Sequence, residues 1–283
     1  MEARFYDKLS NGAVKCALCP HGCFLRNGES GLCGVRENRA GKLYAESYGR
    51  VTAMALDPIE KKPLGMFLPG SLIMSVSAYG CNFTCPFCQN HHISRVSKDI
   101  DYKEYTPRDM AQAAKELKAR GNIGIAYTYN EPVTFYEYAA DTAKLLRKAG
   151  MKNVVVTNGY INPEPLASWL QYIDALAIDL KSIREDFYKE AGGSLSPVLR
   201  TIQTAHEAGA HVEVINLIIA GENDSDEEMD KLSGWLGSVS QDVPLHLTRF
   251  RPSYRYTDRE ATPRSVTERL AARAKRNLRR VFY

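Results

Sequence analysis

From residue 69 onward the chain alternates short apolar runs with amphipathic stretches, and this rhythm limits its fold more than any other feature. SLIMSVSAYG, IGIAYTY, NVVVTNG, DALAIDLKS, HVEVINLIIAG and PLHLTRF are each rich in apolar or β-branched residues and end in polar loops, as buried strands do. Between them lie helical patterns. TPRDMAQAAKELKARG offers Thr106 as a cap, Pro107 in the first turn, Met110, Ala114 and Leu117 on one face, and Gly121 as a stop. FYEYAADTAKLLRKAG, SPVLRTIQTAHEAG and DSDEEMDKLSGWL repeat the theme. Strand, helix, strand in this order implies an α/β fold of parallel strands with right-handed crossovers, as an open doubly wound sheet or a barrel. Six strands fall short of a complete eight-stranded barrel, and no short repeat suggests a solenoid. In either architecture a ligand sits at the C-terminal ends of the strands.

Upstream, KLYAESYGRVTAMALDPI reads as a strand pair around Tyr48-Gly49, and KKPLGMFLPGS as a linker. Three regions follow: 1–68, an N-terminal cysteine module with a β-hairpin; 69–262, the core; and 263–283, a C-terminal helix. In that helix Leu270, Ala274 and Leu278 fall at helical spacing among arginines and lysines, which reads as a solvated basic face. The formal charge of +4, from 37 basic and 33 acidic residues, is too small to imply a nucleic-acid partner. No run of about 18 apolar residues and no signal-like N-terminal segment is present, so the expectation is a cytoplasmic chain without a membrane partner.

Seven cysteines fall into two groups: Cys16, Cys19, Cys23 and Cys33, then Cys81, Cys85 and Cys88. In a cytoplasmic chain such clusters suit metal ligation better than disulfides. The second group is a C-x3-C-x2-C array directly after the first strand. Three thiolates can each hold one iron of a cubane and leave the fourth iron open. Zinc is the alternative, and it would need His91 or His92 as a further ligand. The first group supplies four thiolates with Gly28, Gly31 and Gly34 between or beside them. Those four suit either a tetrahedral zinc or a second cubane.

Cys81-Asn82-Phe83-Thr84-Cys85-Pro86-Phe87-Cys88 resembles the C-x3-C-x-aromatic-C signature of the radical S-adenosylmethionine (SAM) superfamily. The resemblance implies a partial TIM barrel, a (β/α)6 core, with a [4Fe–4S] cluster on Cys81, Cys85 and Cys88. It implies too that SAM chelates the open iron and that one electron cleaves it reductively, the resulting 5′-deoxyadenosyl radical abstracting hydrogen from a substrate. Tyr127-Thr128-Tyr129-Asn130-Glu131-Pro132 stands where that family usually has Gly-Gly-Glu-Pro, which implies Asn130 and Glu131 at the methionine ammonium although the glycines are missing. Thr157-Asn158-Gly159 and Asp179-Leu180-Lys181 are similar to strings of the pyruvate formate-lyase activating enzymes. They imply that Thr157, Asn158, Asp179 and Lys181 hold ribose hydroxyls and the cofactor carboxylate. Asn90 matches another polar position of that branch, and Phe87 would lie beside the adenine. Arg251 and Ser253 depart from the Phe-His-Pro-Asp-Tyr string that the resemblance to this branch implies at the end of the sixth strand. Taken singly, Asn158-Gly159 is a turn, Lys181 a surface charge and Glu131 a helix cap; recurring after successive strands, they describe one site.

With Cys16-Ala-Leu-Cys19-Pro20-His21-Gly22-Cys23 included, the chain from Cys16 to about Thr262 resembles the radical enzyme of the AmmeMemoRadiSam system, itself related to glycyl-radical-enzyme activases. That resemblance implies an electron donor such as flavodoxin or ferredoxin, and Memo-like and Ammecr-like protein partners. Two other readings compete. An iron–sulfur electron-transfer or sensing protein without turnover would need the cysteines but not Glu131, Asn158 or Lys181. A zinc-bearing nucleic-acid module would use the first cysteine group and the basic tail, and would bind in a strongly salt-dependent way.

Overall fold

The computed structural model describes residues 1–96 and 99–283. The six expected strands are present in chain order: β1 (Leu72–Ser77), β2 (Asn122–Tyr127), β3 (Lys152–Thr157), β4 (Ala175–Asp179), β5 (His211–Ile218) and β6 (Leu245–Arg249). Each pairs in parallel with its sequence neighbours. Helices α1 (Pro107–Glu116), α2 (Tyr136–Lys148), α3 (Pro163–Leu170), α4 (Leu195–Glu207), α5 (Asp226–Val239) and α6 (Arg264–Ala274) cover one face. Helix α1 starts where its capping chemistry dictates, with Thr106 and Asp109 bonding reciprocally to each other's backbone N–H, and its last turn stops at Gly121 with φ 89°.

Successive residues of a strand point to opposite faces, and here the two faces bury against different partners. Met74, Val76, Ile125, Tyr127, Val155 and Ile178 pack with helix residues such as Met110, Ala139, Ile202 and Leu236. Ile73, Ala126, Val154, Ala175, Ala177 and Ile215 form a separate inner cluster, closed by Ile59 and Leu64. The stretch expected to be a linker therefore fills the inside of the sheet instead. It is clipped there by Glu213 of β5, whose carboxylate accepts from the Gly65 and Met66 N–H groups at 2.9 and 2.8 Å and meets His211 and His246 at 2.8 and 2.6 Å. Burial alone would raise the pKa of Glu213, but the bonds from His211, His246, Met66 and Gly65 hold it down at about 2.

Both edges of the sheet gain a strand. Ala53–Pro58 runs antiparallel to β1, with Ala53 opposite Ser77 and Pro58 opposite Leu72, and Val281–Phe282 runs parallel to β6. With β1 and β6 each taken on their outer sides, the sheet stays an open, partial barrel. The hairpin expected around Tyr48-Gly49 does not form. Ala40 and Gly41, both at positive φ (52° and 81°), make the tight turn earlier and pair Lys42–Ala45 with Arg36–Arg39, leaving the next strand free to join β1. The helix expected over 263–283 ends at Ala274, because Leu278 turns into the core and Phe282 stacks on His246 at 4.7 Å. Its basic face is largely solvated, as expected, and its Arg269 and Arg273 also pair with α5: Arg269 with Asp226, and Arg273 with both Asp226 and Asp230. Among the described residues no helix is long and apolar enough to cross a membrane.

Candidate active site

At the C-terminal ends of the strands lies a cavity of about 430 Å³. Cys81, Cys85, Cys88, Phe87, Asn90, Asn130, Glu131, Thr157, Asn158, Asp179 and Lys181 all line it, so the residues singled out in the core converge on one space.

The cysteine loop leaves β1 and is held from behind by the 191–193 turn. Thr84 N–H donates to Ala191 O at 2.8 Å, and a Cβ on Gly193 would stand 2.2 Å from the Phe83 ring, so only glycine permits this approach. Cys81 Sγ accepts from Phe83 N–H at 3.3 Å and lies 3.9 Å from Asn158 Nδ2. Burial pushes the Cys81 thiol well above its ordinary value, and the Cys85 thiol up to about 11 despite nearby Lys181. Thiols in such a setting ionise when a metal takes the place of the proton. His91 stacks on Tyr254 at 4.7 Å, and neither His91 nor His92 borders the cavity. Among the described residues no set of three or more His, Cys, Asp or Glu side chains is placed to hold a single ion. Three thiols lining one cavity, with N–H donors near the Cys81 sulfur and, among the described residues, no fourth side-chain ligand beside them, fit a cubane with one open iron.

Glu131 is the hub of the polar residues. Its buried carboxylate accepts from Thr157 Oγ1 at 2.6 Å, Asn158 N–H at 2.8 Å and Val133 N–H at 3.0 Å. Burial raises its pKa to about 7 against these three bonds. Asn158 passes the order on, donating to Asn82 Oδ1 at 2.8 Å and accepting from Tyr160 N–H at 2.9 Å. Lys181 Nζ lies 3.1 Å from Asp179 Oδ2; burial works against its charge, but Asp179 and Cys85 hold it protonated. Phe87 packs against Phe187 and Tyr256, with centroids 5.6 and 6.0 Å away.

Asn130 borders the cavity but its amide is engaged in scaffolding. Oδ1 accepts from Ala78 N–H at 3.1 Å and Nδ2 donates to Gly80 O at 3.0 Å, which ties the end of β2 to the start of the cysteine loop. Asn90 is similarly anchored, donating to Tyr129 O at 2.7 Å. Tyr129, which with Asn130 stands in place of the glycines of the resembled Gly-Gly-Glu-Pro string, adopts φ 69°. A left-handed tyrosine costs roughly 1–3 kcal/mol, and contacts from outside the strand retain it there. Its hydroxyl donates to Asp57 at 2.7 Å, and Lys62 Nζ sits 4.6 Å over its ring.

Lys61, Lys62 and Arg249 also line the cavity, and sequence reasoning missed all three. Lys62, 2% exposed, is paired with Asp57 at 2.9 Å. A Lys-Lys-Pro string looks like any solvated turn until the inner face of the sheet is there to bury it.

The four N-terminal cysteines border a second, far narrower space of about 20 Å³ together with His21 and Arg36. Its other wall is Asn82, Val133 and Thr134 of the core. Burial raises the thiols of Cys16, Cys19 and Cys33, to about 12 and about 11 for the last two. Arg36 bonds Glu137 of α2 at 2.6 Å through Nη2.

A family model described as the Radical SAM superfamily matches residues 75–236. The uncharacterized protein MJ0808 of Methanocaldococcus jannaschii is 42% identical over 270 residues, covering 94% of this chain and 79% of its own. The 4-hydroxyphenylacetate decarboxylase activating enzyme of Clostridium scatologenes is 27% identical over 143 residues, which are 49% of this chain and 46% of that enzyme. The solved radical SAM methyltransferase from Sphaerobacter thermophilus superposes with a TM-score of 0.59 at 17% identity, covering 76% of this chain and 67% of that one, a likeness of fold.

Proposed function

The chain belongs to the radical SAM superfamily, and on that basis we propose that Cys81, Cys85 and Cys88 hold its [4Fe–4S] cluster while the strand-end residues hold SAM. When bound, the cluster supplies the single electron that cleaves SAM to methionine and a 5′-deoxyadenosyl radical, which abstracts hydrogen from the substrate. The observation that carries this reading is the Glu131 network, a buried carboxylate fixed by three donors in the cavity the three thiols share.

Each role follows from chemistry at a named atom. The Glu131 carboxylate takes the methionine ammonium, which supplies the charge that burial otherwise disfavours. Lys181, a point charge held by Asp179, faces the cofactor carboxylate. Thr157 and Asn158 stand toward the ribose, and Phe87 toward the adenine. Asn90 and Asn130 act through the backbone they fix.

The similarity to a glycyl-radical activating enzyme supports hydrogen abstraction of the activase type, on a protein glycine or a small molecule. An electron-transfer or sensing protein without turnover would have no use for the Glu131 and Lys181 arrangements. The rest of the reading is a cytoplasmic enzyme with a flavodoxin-like or ferredoxin-like donor and partners related to Memo and Ammecr proteins. Residues 1–68 form a metal module on zinc or a second cluster, 69–262 the catalytic core, and 263–283 a closing segment. The test is anaerobic reconstitution with iron and sulfide, followed by dithionite and SAM. We expect 5′-deoxyadenosine from the wild type, none from Cys85→Ala and less from Glu131→Ala. A cluster that forms in full yet never cleaves SAM would overturn the proposal.

A further inference from the structure

We infer that the substrate carries an anionic group, a carboxylate or a phosphate ester, and that Lys62 and Arg249 bind it in the part of the cavity that SAM leaves open. The inference rests on the reading of this cavity as the cluster and SAM site, and names the class of molecule that shares it.

The first observation is a division of walls. Every residue given to the cluster or to SAM comes from the loop after β1 or from the ends of β2, β3 and β4. The same cavity is also lined by Ile215 and Leu217 of β5, Thr248 and Arg249 of β6, and the Lys61-Lys62 pair, none of which the cofactor uses. Apolar side chains beside cations suit a short apolar body with a charged end.

The second is an imbalance of charge at Lys62. Two ammonium groups share one carboxylate there, Asp57 lying 3.3 Å from Lys61 Nζ and 2.9 Å from Lys62 Nζ. Asp57 Oδ2 is further occupied by Ser75 Oγ at 2.8 Å and the Tyr129 hydroxyl at 2.7 Å. The Lys61 side chain is 67% exposed, so water screens it, whereas that of Lys62 is 3% exposed. Burial lowers the pKa of Lys62 in spite of Asp57, and Lys61 adds to the fall. A buried cation left short of negative charge in this way is stabilised by a second anion. Among the described residues the three donors of Lys62 Nζ find two acceptors, Asp57 and, at 3.5 Å, the Tyr129 hydroxyl.

The third is Arg249. It stands exposed where β6 ends at the cavity, and its guanidinium has no ion-pair or hydrogen-bond partner among the described residues. A planar guanidinium takes a carboxylate or phosphate on two N–H groups at once. With Lys181 committed to Asp179 and the cofactor carboxylate, and Glu131 to the cofactor ammonium, Lys61, Lys62 and Arg249 face one carboxylate, Asp57. A neutral or cationic substrate would leave that excess unanswered.

The test uses the reconstituted chain with its cluster oxidised and saturated with SAM, so that Lys181 is already occupied. Isothermal titration compares butyrate, butyl phosphate and butyramide, three head groups on one apolar body. One of the two anions should bind with a Kd of about 1 mM or tighter and butyramide should not; the preferred anion identifies the head group. Butyramide binding as tightly as the anions, or no anion binding at about 10 mM, overturns the inference. Arg249→Gln removes no contact within the chain and should weaken the anion about tenfold. Lys62→Gln, which keeps a donor toward Asp57, should weaken it at least as much, while Arg264→Gln, at a pair with Glu268 on α6, should change nothing. Wild-type affinity in both Arg249→Gln and Lys62→Gln overturns the assignment. Dithionite added to the same preparation gives an independent readout. A chain that forms 5′-deoxyadenosine but binds no anion sinks this inference alone, and one that binds the anion but never cleaves SAM sinks the catalytic reading alone.

Discussion

The two cysteine groups use the same ligand type, and the chain treats them in opposite ways. Around Cys81, Cys85 and Cys88 the walls are strand ends from across the sheet, and the space opens to about 430 Å³ with a carboxylate and an ammonium inside it. Around Cys16, Cys19, Cys23 and Cys33 the walls close to about 20 Å³, and Arg36, paired with buried Glu137, borders them with its Nε left without an acceptor among the described residues. A reactive centre needs an open coordination position and room for a ligand; a closed metal site needs neither. What separates them is how many distant elements reach the site.

Substitutions that treat the two groups alike break this contrast, and those that do not sharpen it. The largest expected difference is between Cys85→Ala, which should abolish 5′-deoxyadenosine formation with dithionite and SAM, and Cys33→Ala, which should leave SAM binding to the catalytic cluster visible by EPR. Next is Arg36→Met. It strands the Glu137 carboxylate, whose side chain is 0% exposed, and breaking such a buried pair typically costs about 3–5 kcal/mol. Thermal unfolding should show that loss, while the substitution Arg39→Met at a half-exposed pair should not.

Glu131→Gln comes third. It removes a charged acceptor without leaving a void, which should weaken SAM binding by roughly ten- to hundredfold, about 1.5–3 kcal/mol. The wild type should show a matching pH effect. The free chain holds Glu131 with a pKa of about 7, so below that pH binding must expel a proton, and affinity should fall from pH 8 to 6. In Glu131→Gln that slope should disappear; a titration that finds it unchanged assigns it elsewhere.

Glu213 is shifted in the opposite direction and acts at lower pH. Its folded pKa is depressed to about 2, below the value near 4.3 of an unfolded chain. The stability it contributes is therefore whole above about pH 4.3 and is lost progressively as pH falls toward 2. Glu213→Gln should flatten the pH dependence of urea unfolding in that window and reduce stability at pH 7 by about 1–3 kcal/mol. Smallest of all is Arg269→Ala at the exposed pair with Asp226; a change beyond about 1 kcal/mol in thermal unfolding is not expected.

Much of the fold was legible because its signals are local. Buried parallel strands must be apolar on both faces, so all six could be read from runs such as NVVVT and DALAID. The cap at Thr106 and the stop at Gly121 depend on nearest neighbours and were equally visible. The cavity residues were legible for another reason: every strand of such a sheet delivers its last residues to the same end. The 59–67 segment was not, since its role as the filling of the sheet exists only once β1 to β5 curve around it. Nor was the scaffolding by Asn130, whose partners Ala78 and Gly80 lie 50 or more residues away.

By itself, then, the sequence determined the parallel α/β architecture, the grouping of its cysteines and which polar residues end which strand, because periodicity and spacing are properties of neighbouring residues. Only the tertiary structure decided that Glu131 is a fixed, buried hub, that a lysine-bearing segment lines the cavity, and that the first cysteine group rests against both neighbours of Cys81. Burial, and with it charge state and contact, depends on groups far apart in the chain meeting in one place.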